Sequence, residues 1–128
     1  MKTKQAIKHI LVIDDDEFLL HAIKKKLELA TYKVTVSTNV QDAYFKLNMM
    51  KPDLILLDII MPDISGIAFM NLVNSQLMTL NVPVILMSSL AEEDVYKMGY
   101  NIGQAQYLHK PFDVNSLPLI LEQSIQKL

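Results

Sequence analysis

The sequence predicts a single α/β domain with a doubly wound parallel sheet of (βα)₅ type. Three observations predict it. Apolar bursts recur at intervals of ~20–30 residues, the repeat expected of strand–helix units. The strongest bursts are continuous rather than alternating, as strands buried on both faces require. The stretches between them carry helical periodicity and are long enough for right-handed crossovers. At 128 residues, 51% of them apolar, the chain suits one domain over residues 1–128 with a real core.

The strands follow in order. "HILVI" (9–13) is strong, and "KVTVS" (33–37) is shorter and alternates. "LILL" (54–57), within a buried run that starts at Asp53, and "PVILM" (83–87) are continuous apolar runs. "AQYLH" (105–109) is the weakest. Between them, Phe18, Leu19, Ala22, Ile23, Leu27 and Leu29 or Ala30 predict one broad apolar stripe on a helix over 17–30. Ala43, Leu47 and Met50 share a face in 41–50, and Ile67, Met70, Val73 and Leu77 share one in 66–78. Glu92, Glu93 and Asp94 favour a helix start within 91–100. The last helix covers 114–127, and Pro118 requires regular helix to begin near Asn115 or Ser116.

Composition excludes several classes. The net charge of −2 carries no basic footprint for nucleic acid. All 12 basic residues are lysine, so bidentate guanidinium forks are absent. Without cysteine there is no disulfide frame, thiol nucleophile or sulfur-ligated metal. "MKTKQAIKH" lacks the apolar centre of a signal peptide, and no apolar run reaches the ~18 residues of a membrane span. The expectation is a cytoplasmic domain.

One charge stands out. In "KPDLILLDIIMPDISG" (51–66), Asp58 interrupts an apolar run that resumes with Ile59, Ile60 and Met61. The flavodoxin-like order 2-1-3-4-5 makes the first and third strands neighbours and places ligands beyond their carboxyl ends. There Asp14 and Asp15 follow the first strand, and Asp58 follows the third. Asp16 and Glu17 open the helix, where capping accounts for them equally well. Two carboxylates at ~4 Å repel by roughly 4 kcal/mol at an effective dielectric near 20. The cluster therefore needs a proton, a lysine or a divalent cation, and an oxygen-only site with few carboxylates suits Mg²⁺. Ser88 and Lys110 fall at the same edge, after the fourth and fifth strands.

The ordered pieces "ILVIDDDE", "DLILLDIIMPDISG", "PVILMSS" and "QYLHKPFD" resemble the receiver domain of response regulators in two-component signalling, a CheY-like domain. The likeness covers nearly the whole chain, and the 30 and 52 residues from Asp58 to Ser88 and Lys110 fit its pattern. The resemblance implies Asp58 as phosphoacceptor, Asp15 as direct Mg²⁺ ligand and Asp14 as a ligand through water. It implies the Ile60 backbone carbonyl as a further ligand, Ser88 and Lys110 as phosphoryl-binding groups and Tyr107 as the aromatic switch. Ile60 and Leu90 take the positions that flank the hydrolytic water. It also implies a histidine kinase or phosphotransfer protein as donor. The implied output is a downstream protein on the face of the fourth helix, fifth strand and fifth helix. The chain is expected to be a monomer or a weak phosphorylation-linked dimer, with no nucleic-acid or membrane contact of its own.

Departures matter too. Ser89 replaces a common alanine, Gln106 an acid used in charge-paired dimers, and His109 a usual Thr or Ser. His109 is expected to be a surface residue, and His9 and His21 structural or exposed. Three other readings fit less well. A phosphatase with an aspartyl-phosphate intermediate would carry a second acid where Ile60 stands. A flavodoxin-type cofactor binder would need a Ser/Thr/Gly-rich loop where "DDDE" stands. A degenerate scaffold would lack key positions that are filled here. Whether the receiver stands alone or belongs to a larger regulator is left open by the sequence.

Overall fold

The computed structural model describes residues 7–60, 69, 82–97 and 105–126. Five strands form one parallel sheet: β1 (His9–Ile13), β2 (Lys33–Ser37), β3 (Leu54–Asp58), β4 (Val84–Ser88) and β5 (Gln106–His109). Their order is β2-β1-β3-β4-β5, as the crossover pattern predicts. The described helices are α1 (Glu17–Leu29), α2 (Val40–Met49), α3 (Glu92–Lys97) and α4 (Leu117–Gln126), the last entered through a 3₁₀ turn, Val114–Ser116.

The continuous apolar strands follow from two covered faces. Leu11, Ile13, Ile55, Leu57 and Leu86 point to one side, against Val40, Ala43 and Leu47 of α2, Phe69 and Val95 of α3. Ile10, Val12, Leu54, Leu56, Ile85 and Met87 point to the other, against Leu20, Ile23 and Leu27 of α1 and Leu117 and Leu121 of α4. Successive residues alternate between the two layers, so β3 is buried along its whole length and the apolar stretches of β1 and β4 are buried almost throughout, whereas the outer strands β2 and β5 are only partly covered.

Boundaries shift by a residue or so. Asp53 lies outside β3, while Asp58 and Ser88 are the last residues of their strands rather than the first beyond them. Pro118 sits in the first turn of α4, where its missing N–H costs nothing. The stripe expected on α1 is corrected. Leu20 is buried, whereas Phe18 is 91% exposed and Ala22 and Leu29 are also exposed. At 100° per residue Phe18 stands 200° from Leu20, so the two cannot share the core face. The face expected at Ile67, Met70, Val73 and Leu77 lies outside the described residues.

α1 is closed at both ends by local chemistry. Asp16 is its N-cap, with Oδ1 accepting from the Leu19 amide at 3.2 Å, so the capping reading holds for that residue. At the other end Tyr32 N–H donates to the Leu27 carbonyl and Thr31 N–H to that of Glu28, both at 3.0 Å. That is a Schellman closure with Thr31 at φ 70°, where glycine is usual.

Candidate phosphoryl-acceptor site

The site forms at the carboxyl edge of the sheet. Ile13 and Leu57 are register partners, which sets Asp14, one residue beyond β1, beside Asp58 at the end of β3. Asp14 is fully buried and Asp58 nearly so, while Asp15 is exposed at the rim. The three carboxylates offer oxygens within 4.8 Å of one another.

Local structure holds each acid. The Asp14 amide donates to the Ser37 carbonyl at 3.0 Å, tying it to β2. Its Oδ1 accepts from the Asp16 amide at 2.9 Å, and its Oδ2 from Lys110 Nζ at 2.6 Å. Asp58 Oδ1 accepts from the Ile60 amide at 3.1 Å, and its Oδ2 lies 3.5 Å from Lys110 Nζ. Burial, and then the charge of Asp14, push the Asp58 carboxyl up to about 6. Burial alone would lower Lys110. The hydrogen bond to Asp14 and the charges of Asp58 and Asp14 outweigh it, so the ammonium is held above the ordinary lysine value.

Ser88, Tyr107 and Lys110 reach the same edge. Ser88 is buried, and its Oγ accepts from the Leu90 amide at 3.0 Å. The Lys110 amide donates to the Ser88 carbonyl at 2.7 Å, just before a cis Lys110–Pro111 bond. Tyr107 is half-buried against the α2/α3-side core, and its hydroxyl donates to the Leu90 carbonyl. Ile60 is 46% exposed, and Leu90 is half-buried against the core. His21 is exposed. His9 pairs through Nε2 with Thr35 Oγ1 at 2.7 Å at the opposite edge of the sheet.

Two relationships were missed in the sequence. The short bond of Lys110 goes to Asp14, and His109 Nε2 donates to the Ser89 carbonyl at 3.1 Å. The second had a legible signal, since His109 is two residues from Tyr107 and shares its face of β5.

The donor set fits a hard divalent cation. It holds oxygen ligands only, two of them on buried carboxylates, and three acids face one ammonium. Asp14, Asp15 and Asp58 would hold such an ion.

Residues 10–122 match the family model of the response regulator receiver domain. The chain is 34% identical over 108 residues to the transcriptional regulatory protein KdpE of Staphylococcus aureus, covering 84% of this chain and 46% of the relative. It is 32% identical to the phosphate regulon transcriptional regulatory protein PhoB of Pseudomonas aeruginosa, covering 94% of this chain and 52% of that protein. The chain thus spans about half the length of these relatives. Among solved structures it superimposes on the chemotaxis protein CheY4 of Vibrio cholerae with a TM-score of 0.83 at 24% identity, covering 93% of this chain and 99% of that one, a likeness of fold. The sheet order, the acidic edge and the matched residues together make this chain a member of the response regulator receiver domain family, a signalling domain of two-component systems.

Proposed function

We propose that Asp58 is the phosphoacceptor of this receiver and that Asp14, Asp15, Asp58 and the Ile60 carbonyl hold the Mg²⁺ it requires. The observation that carries the reading is the Asp14–Asp15–Asp58 cluster closed by Lys110 at the sheet edge. A carboxylate oxygen of Asp58 attacks phosphorus and forms a mixed anhydride, while the P–N bond of a phosphohistidine, or the P–O bond of a small acyl phosphate, breaks. The loose transition state needs positioning and charge neutralisation. When bound, Mg²⁺ supplies part of that neutralisation. Lys110 supplies the rest, and the Ser88 hydroxyl hydrogen-bonds the phosphoryl oxygens.

The donor is a histidine kinase or phosphotransfer protein. Phe18, 91% exposed in the first turn of α1 two residues after the N-cap Asp16, offers it an apolar contact. The phosphorylated state is read out on the face of α3, β5 and α4, where Tyr96 and Leu119 are exposed and Tyr107 reports the state of the Ser88 loop. The partner class we favour is a transcription-regulating region, because the relatives are named as transcriptional regulators.

Intact mass after incubation with a small acyl phosphate tests the reading. The expected result is one phosphate gained with Mg²⁺ and none after EDTA or in Asp58→Asn. A phosphate gained equally without Mg²⁺, or retained in Asp58→Asn, overturns it.

A further inference from the structure

The end of β4 and the loop that follows it are bound to β5 and the residue after it through three consecutive carbonyls. The Lys110 amide takes that of Ser88 at 2.7 Å, the His109 imidazole that of Ser89 at 3.1 Å, and the Tyr107 hydroxyl that of Leu90. The first bond is main-chain and independent of side-chain identity. The other two come from side chains two residues apart on one face of β5. Both reach the segment whose geometry places the Ser88 hydroxyl, which accepts from the Leu90 amide at 3.0 Å within the same loop. His109 is also the register partner of Ser88, so its ring leans directly over the start of the loop.

We infer that His109 is a positioning residue of the phosphoryl pocket: by donating its Nε2–H to the Ser89 carbonyl, it fixes the loop that presents the Ser88 hydroxyl to the phosphoryl group. The inference rests on the receiver reading given above. The chemistry is specific. A carbonyl can only accept, so the ring must carry a proton on Nε2. A serine or threonine at 109 is too short to span from the strand to this carbonyl. Without the imidazole, the middle of the three anchors is lost. The Ser88–Leu90 segment is then held only at its two ends, by the Lys110 amide and the Tyr107 hydroxyl. Loss of one hydrogen bond of this kind changes an equilibrium by a factor of about 2–13.

The test uses beryllofluoride as the phosphoryl mimic, with Mg²⁺, on wild type, His109→Ala and His109→Gln. Glutamine keeps a neutral N–H donor of comparable reach. The expected result for His109→Ala is a three- to tenfold weaker beryllofluoride affinity, with new microsecond-to-millisecond exchange at the amides of Ser88, Ser89 and Leu90 in NMR relaxation dispersion. Mg²⁺ affinity stays unchanged, and His109→Gln recovers most of the loss. An affinity within twofold of wild type in His109→Ala overturns the positioning role, whether or not the loop becomes mobile. A parallel loss of Mg²⁺ affinity of the same size overturns it as well, since the bond would then be merely structural. A wild type that binds no beryllofluoride removes the receiver reading, and the role of His109 falls with it.

Discussion

The shorter contact of Lys110 runs to Asp14 rather than to Asp58, at 2.6 Å against 3.5 Å. The lysine is thereby anchored mainly by Asp14. On the proposed reading, in which Asp58 takes the phosphate, that anchor would hold it in place while Asp58 changes from a carboxylate to a phosphorylated group. It also leaves Asp58 the less compensated of the two buried acids.

Removing the ammonium should be costly. Lys110→Met leaves two buried carboxylates facing each other, and stability should fall by about 3 kcal/mol, the usual result of breaking a buried pair. Urea unfolding at pH 7 measures the loss. Millimolar Mg²⁺ should recover part of it, because a cation that binds only the folded state stabilises it by mass action.

The acceptor should also make stability depend on pH. Its folded value, about 6, lies above the ordinary 3.8, so the folded state binds the proton more tightly than the unfolded state. The contribution is fully present below pH 3.8 and is lost as pH rises through about 6. In the metal-free protein, Asp58→Asn should therefore be more stable than wild type at pH 7, by on the order of 2–3 kcal/mol. The advantage should vanish near pH 4. Thermal melts of both proteins in EDTA from pH 4 to 8 check the sign, and parallel curves would contradict it.

Phosphate lifetime is the third expectation. Neither Ile60 nor Leu90 can hydrogen-bond a water, so self-dephosphorylation should be slow. Ile60 is partly exposed beside the acceptor, whereas Leu90 is engaged with the core. Ile60→Asn should therefore shorten the half-life more than Leu90→Glu, by severalfold. Equal half-lives in wild type and both variants would show that other groups set the rate.

The turn after α1 offers a stability test far from the pocket. Thr31 holds φ 70°, a left-handed conformation that costs a residue with a Cβ roughly 1–2 kcal/mol. Thr31→Gly relieves that cost and loses part of it to the greater freedom of the unfolded chain. The expected gain is about 0.5–1 kcal/mol in urea unfolding, with phosphorylation unchanged.

Much of this was legible in the sequence because it depends on the order of strands. Continuous apolar runs reveal two-sided burial, and once the crossovers are right-handed, Asp14, Asp58, Ser88 and Lys110 must meet at one edge. What stayed hidden depends on angles and reach. Phe18 counts as apolar in any periodicity, and only its rotation about α1 turns it outward. Spacing brings Lys110 to the acids but does not choose between them. That choice is made by the path of the loop after β5. The Schellman turn at Thr31 lacks the glycine that usually announces it.

The placement of β3 has a mechanical consequence. It is the middle strand of five, bonded on both sides and buried along its whole length, so Asp58 stands at the end of a strand held firmly on both sides. β5 is an outermost strand with a single bonded neighbour, and its residues are only partly covered. If Asp58 takes a phosphoryl group as proposed, force from the new charge should find little give in the anvil beneath it and be spent at the outer margin, where β5 meets the loop after β4. Amide exchange should map that gradient, slowest along Leu54–Leu57 and fastest along Gln106–His109. Phosphorylation should alter the rates at the margin while leaving the centre as it was.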